Sequence, residues 1–242
     1  MKIVAVQKVT LIDYPGRVAA TVFLAGCNFR CPWCYSKELV LPELYAALPG
    51  IPEKDLFAFL EGKRGYLEGV VLCGGEPTVN PELPAFIKKI KDAGFLVKLD
   101  TNGSNPGMVE GLIKDKLIDY VAMDIKLPKE RYARVFNGLI PVENIQKSID
   151  ILKNSSIDFE FRTTVVPGVH TEEDLISMAQ WIGGPSVSSG SKGERKPKYF
   201  LQNFRAERNI DPAFEQIKPY DDEFFLRVCE KITGCFSVCK TR

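Results

Sequence analysis

Three cysteines, Cys27, Cys31 and Cys34, stand within the eight-residue stretch CNFRCPWC. A thiolate is both a nucleophile and a soft metal ligand, so three of them on one short loop invite four readings. As small buried hydrophobes they would sit inside a helix or strand, whereas Asn28 and Pro32 mark a turn. A structural zinc site takes four Cys or His ligands, usually in two pairs. Here the sole histidine is His170, and no second C-x-x-C exists to complete the set. A thioredoxin-type pair of Cys31 and Cys34 leaves Cys27 without a task. The fourth reading is an iron–sulfur cluster. A [4Fe–4S] cube has four irons, each wanting an external ligand. Three thiolates hold three irons, and the fourth stays open for a substrate, much as an open position makes a zinc site catalytic.

The whole chain permits such a site. Its 242 residues can bury a sizeable core, and its net charge of +1 gives no basic or acidic surface for nucleic acid. No run of about 18 apolar residues predicts a membrane span. The opening MKIVAVQKVTLIDYPG lacks the apolar core of a secretory signal, so a cytoplasmic protein is expected. In that reducing setting the seven cysteines are poor disulfide candidates.

Apolar, β-branched runs predict strands at 18–25, 70–73, 95–100, 118–125, 159–166 and 199–204. Helical periodicity lies between them, at 81–94, 141–154 and 171–182, with Thr171 as an N-cap. Strand and helix alternating about six times predict a parallel sheet. Six units are too few for an eight-fold barrel, so an open, partial (β/α)6 barrel in a single domain over 1–242 is expected. The segment 183–198, rich in Gly, Ser and Lys, reads as a flexible surface loop.

Barrels of this kind gather chemistry at the C-terminal ends of their strands. Each predicted strand ends in an unusual segment: Cys27 after the first, CGGEPT (73–78), DTNG (100–103), DIK (124–126), RTTVVPG (162–168) and QNFR (202–205). Taken singly, Gly74 and Gly75 are a turn, Asp100 and Asp124 are caps, and Lys126, Arg162 and Arg205 are ion-pair partners. Taken together they could line one site.

The cysteine motif, with aromatic Trp33 before its last member, resembles that of the radical S-adenosylmethionine (SAM) enzymes. The resemblance implies that Cys27, Cys31 and Cys34 hold a [4Fe–4S] cluster whose open iron is chelated by the amino and carboxylate groups of SAM. It implies that Gly74, Gly75 and Glu76 meet the SAM amino group. Asp100 and Asp124 would serve the ribose, a cation or the carboxylate shell, and Lys126 would neutralise the carboxylate. Trp33, Tyr35, Asn102, Arg162, Gln202 and Arg205 complete the implied SAM-binding set. Bound SAM would be cleaved reductively to a 5′-deoxyadenosyl radical that abstracts hydrogen.

LIDYPGRVAATVFLAGCNFRCPWC and FRTTVVPG further resemble the activating proteins of anaerobic ribonucleoside-triphosphate reductase. That implies a glycyl-radical enzyme as partner, with Asp13, Pro15, Gly16 and Arg17 near the docking peptide, and a flavodoxin- or ferredoxin-type electron donor. Tyr35-Ser36 departs from the His-Asn of many activases. Two rivals stay open: a radical SAM enzyme acting on a small molecule, and a non-catalytic zinc protein. Of the other cysteines, Cys73 reads as a small core residue. Cys229 falls on a helix (221–232) and Cys235 and Cys239 on an edge strand, which argues against a second cluster.

Overall fold

The structure, a computed structural model, describes residues 1–132, 141–184 and 196–242. In chain order the elements are β1 (Ile3–Thr10), β2 (Ala19–Leu24), α1 (Lys37–Val40), α2 (Pro42–Ala47), α3 (Glu53–Glu61), β3 (Gly69–Gly74), α4 (Leu83–Asp92), β4 (Leu96–Thr101), α5 (Pro106–Lys114), β5 (Tyr120–Asp124), α6 (Val142–Asn154), β6 (Asp158–Val165), α7 (Glu172–Gly183), β7 (Lys198–Asn203), α8 (Asp222–Ile232) and β8 (Val238–Thr241). The fold is mixed α/β. Its eight-stranded sheet runs in simple order from β1 to β8 and does not close on itself, as a partial barrel of the radical SAM type requires.

The chain divides into two compact units. The first comprises Met1–Arg30, Ser36–Thr101 and Asn105–Ala122, and the second Cys31–Tyr35, Asn102–Ser104 and Met123–Arg242.

In the first unit β2, β3 and β4 are parallel and in register, Val22 opposite Leu72 and Leu72 opposite Leu99. One face of these strands, Ala20, Val22, Leu24, Val70, Leu72, Val97 and Leu99, is completely buried. The stripe Leu83, Phe86, Ile87 and Ile90 of α4 is buried as well, each such side chain contributing about 1.5–3 kcal/mol. The opposite face begins apolar, with Ala19 and Val71 packed on Tyr14 and Tyr120. Further along it turns polar, carrying Thr21, Lys98 and Asp100, because side chains two apart on a strand share a face.

In the second unit β6, β7 and β8 are parallel. Phe161, Tyr199 and Leu201 are buried, as are Ile145, Ile149 and Leu152 of α6 and Leu175, Met178 and Ile182 of α7. Helix α7 starts with a full capping box: Thr171 accepts from the Asp174 amide, and Asp174 accepts from the Thr171 amide.

All six expected strands lie within two residues of their predicted positions, and the four named helices and the Thr171 cap are present. Two strands were not among the six. Strand β1 pairs antiparallel with β2; residues 3–6 are the apolar run IVAV, a strand signal that was passed over, although only Ile3 and Thr10 of the strand are buried. The edge strand expected over Cys235–Cys239 begins only at Val238; Cys235 lies in a 3-10 turn. Cys73 is partly exposed in β3 rather than a core residue. Most of the expected loop 183–198 lies outside the described residues.

Candidate active site

In the first unit, the chain leaving β2 and the turn leaving β3 are locked together by backbone alone. The amides of Gly75 and Glu76 donate to the carbonyls of Leu24 (2.9 Å) and Gly26 (2.7 Å), and the Gly26 amide donates to Leu39 (2.8 Å). A Cβ on Gly75 would fall 2.0 Å from the Gly26 carbonyl oxygen, and Gly74 has φ +120°. The two glycines are therefore required by the approach of the cysteine-bearing chain, in addition to anything they do for a ligand. Cys27 follows directly, and its sulfur accepts from the Phe29 amide at 3.4 Å.

Glu76 is 1% exposed. Its Oε1 accepts from the Thr78 amide (3.1 Å), the Thr78 hydroxyl (2.6 Å) and the Thr101 hydroxyl (2.7 Å). These bonds fix the carboxylate beside the end of β4, where Asp100 pairs with Lys98. Lys98 is a buried lysine at 1% side-chain exposure, tolerable only because that carboxylate accompanies it.

In the second unit a short loop carries Cys31 and Cys34. The Cys34 amide closes a turn onto the Cys31 carbonyl at 2.9 Å. The loop is pinned by a distant segment: Ile210 N–H donates to Cys34, Asp211 N–H to Pro32, and Asn209 Nδ2 to the Trp33 carbonyl at 2.8 Å. Asn209 is completely buried, and its Oδ1 has no partner among the described residues. Trp33 is itself buried and meets the His170 ring edge-on, centroids 6.1 Å apart. Its observed role is to anchor the loop.

The charged centre of this unit is Asp124, last residue of β5. It accepts from Lys126 Nζ at 3.0 Å and from Arg162 Nε at 2.8 Å. Burial alone would raise the Asp124 carboxyl, but Arg162 and Lys126 outweigh it and hold the carboxyl down at about 2. Burial likewise opposes the Lys126 charge, yet Asp124 together with the sulfurs of Cys31 and Cys34 keeps the ammonium firmly protonated. Lys126 thus lies within electrostatic reach of both thiols. Its backbone is clamped too: its amide donates to the Tyr132 hydroxyl at 2.7 Å, and its carbonyl meets His170 Nε2 at 2.9 Å. His170 Nδ1 accepts from the Val166 amide at 3.0 Å. Nε2 must then carry the proton, and burial lowers the ring's tendency to take a second.

The remaining expected residues are placed as follows. Asn102 is buried and accepts from the Ser104 amide, an Asx turn. Arg162 lies inside β6 rather than at its end, and reaches Asp124 by its side chain. Gln202 pairs in register with Thr164. Arg205 is 67% exposed, its guanidinium 5.6 Å from the Tyr35 ring centre. Sequence reading missed Lys98, Tyr132, Asn209 and the hydrogen bonds of His170. Lys98 had a signal, a lysine inside an apolar strand run with an acid two residues on; the other three had none.

Three thiols with no fourth fit a cube that keeps one iron open. Among the described residues no three His, Cys, Asp or Glu gather as tightly as around a single ion. A cube does not ask for that, because each thiolate binds a different iron. A partly buried lysine within electrostatic reach of two of the thiols suits a carboxylate-bearing ligand there.

Residues 21–182 match the family described as the Radical SAM superfamily. The chain is 33% identical over 226 residues to a Methanocaldococcus jannaschii protein provisionally named a glycyl-radical enzyme activating enzyme, spanning 91% of this chain and 87% of that one. It is 28% identical to the 7-carboxy-7-deazaguanine synthase of Thermococcus kodakarensis, over 69% of each chain. Among solved structures, a domain of pyruvate-formate lyase-activating enzyme from Bacteroides vulgatus superposes with a TM-score of 0.56 at 18% identity, covering 72% of this chain and 98% of that domain. The chain belongs to the Radical SAM superfamily, whose members use a [4Fe–4S] cluster and S-adenosylmethionine.

Proposed function

We propose that the chain activates a glycyl-radical enzyme by taking a hydrogen atom from a glycine Cα of its partner, with anaerobic ribonucleoside-triphosphate reductase as the first candidate. The observation that carries this reading is the 33% identity, across 91% of the chain, to the M. jannaschii protein named as such an activating enzyme. The cluster and SAM, when bound, supply the one-electron chemistry that makes the abstracting radical. The chain's own residues hold and orient them. Cys27, Cys31 and Cys34 are the proposed cluster ligands. Lys126, kept charged by Asp124, is proposed to neutralise a carboxylate near Cys31 and Cys34. Glu76 is the proposed acceptor for an ammonium group, and Asp100 and Asn102 are proposed to border the nucleoside. The buried positions of Trp33, Tyr132 and His170 support exclusion of water from the lysine side. A flavodoxin- or ferredoxin-type protein is the proposed electron donor.

Docking is proposed at the connection from β1 to β2. Asp13 accepts from the Thr21 hydroxyl at 2.6 Å. Arg17 pairs with Glu68, both about half exposed, so the two docking candidates are held separately and not to each other. The test mixes anaerobically prepared protein, SAM and a reductant with a C-terminal glycyl-radical peptide or the candidate reductase. Paramagnetic resonance should show a doublet from a Cα radical. A second reading, a small-molecule substrate, is favoured by the likeness to 7-carboxy-7-deazaguanine synthase. SAM turnover with a purine-like metabolite but with no glycyl partner would establish it instead.

A further inference from the structure

We propose that Cys229 and Cys239 are a reversible modification site, closing to an intramolecular disulfide by exchange with a low-molecular-weight disulfide such as oxidised glutathione. Cys229 lies toward the end of α8 and Cys239 within β8, and both are partly exposed. Their sulfurs are 3.2 Å apart, the Cys239 thiol donating to Cys229. A disulfide needs about 2.05 Å, so small rotations of the two side chains suffice. Cys235, four residues from Cys239, is instead buried, lodged against Gly183.

The pair is chemically asymmetric. The hydrogen bond from Cys239 favours the thiolate of Cys229, while the same bond, with burial, keeps the proton on Cys239. Cys229 is therefore the attacking sulfur and Cys239 the resolving one. The Cys229 thiolate attacks one sulfur of the external disulfide, forming a mixed disulfide and releasing one thiolate. Cys239 then gives up its proton and attacks the Cys229 sulfur, expelling the second. Two protein thiols lose two electrons and two protons overall, and one external disulfide becomes two thiols. The bond would tie β8, whose Cys239 pairs with Tyr199 of β7, to α8. Disulfides of reducing compartments are usually transient and redox-sensing, which suits a protein built around an oxidisable cluster.

The test uses the cofactor-loaded protein under anaerobic conditions, equilibrated in glutathione buffers of stepped oxidised-to-reduced ratio, then acid-quenched, alkylated and digested with trypsin. The peptide 228–231 should be found linked to 232–240, two hydrogens lighter than the sum. Its yield should rise with the oxidised fraction and reverse on adding thiol. Fragmentation between the two cysteines of 232–240 should place the link on Cys239 in the wild-type chain. Cys235→Ser should keep the link, and Cys239→Ser should leave a glutathione adduct on Cys229. Alkylation of both Cys229 and Cys239 at every ratio overturns the proposal, and so does a link carried by Cys235.

Discussion

Asp124 serves two cations at once, and that makes it readable by acid. Its carboxyl is held near 2 against an ordinary 3.8. A lowered carboxyl stabilises the folded chain above its unfolded value, and the contribution disappears as the pH falls from about 4 through 2. At about 1.36 kcal/mol per pK unit the shift is worth about 2 kcal/mol. Asp124→Asn in the cluster-free chain should lose about that much in urea unfolding at pH 7, and its curve should meet the wild type near pH 2. His170 gives a second window. Burial lowers its pKa, so the unfolded chain takes the proton more readily and stability must fall as the pH drops below about 6.5. Because the chain has one histidine, His170→Gln should flatten the slope between pH 7 and 5; an unchanged slope refutes the assignment. These two residues also mark what could be read beforehand. Asp124 and Lys126 were visible as an acid and a base two apart at the end of an apolar run. The His170 clamp was not, since Lys126 lies 44 residues away, and neither was Asn209, 176 residues from Trp33. A hydrogen bond across such separations leaves no pattern in local sequence.

The strands from β2 to β7 were legible because burial on the helix-covered face demands apolar, β-branched residues at alternate positions. Strand β1 carries the apolar run IVAV at 3–6 and was open to the same reading, although as an edge strand it buries only Ile3 and Thr10. Helix α7 was legible down to its cap. Thr171→Ala should cost about 1 kcal/mol by removing an acceptor for the Asp174 amide, measured by thermal or urea unfolding. Gly75→Ala is predicted to be far worse placed than an exposed glycine change. Its Cβ would meet the Gly26 carbonyl oxygen at 2.0 Å, and relieving an overlap in a packed region costs about 1–3 kcal/mol. Gly111→Ala, with nothing within 4 Å in helix α5, is the control and should be neutral or stabilising by up to about 1 kcal/mol. Equal losses in the two variants would contradict this account of the Gly-Gly-Glu turn.

Taken as a molecule, the chain should bind about four irons on anaerobic reconstitution. Cys27→Ala, Cys31→Ala and Cys34→Ala should each abolish SAM cleavage, whereas Cys229→Ala, Cys235→Ala and Cys239→Ala should leave it. Iron and sulfide analysis beside product assay checks both halves, and identical behaviour of all six would end the single-cluster account. Lys126→Met should weaken SAM binding while retaining iron, as the proposed role of Lys126 toward the SAM carboxylate requires. The amide pairs that join Gly75 and Glu76 to Leu24 and Gly26 have one more consequence. Opening either partner of such a pair opens the other, so these residues form one unit of local stability. A metal held by Cys27, next to Gly26, as proposed, would add its binding energy to the closed form alone. Deuterium uptake at the amides of Gly75 and Glu76, about fifty residues downstream of Cys27 in sequence, should therefore slow when the cluster is loaded, before any SAM is added.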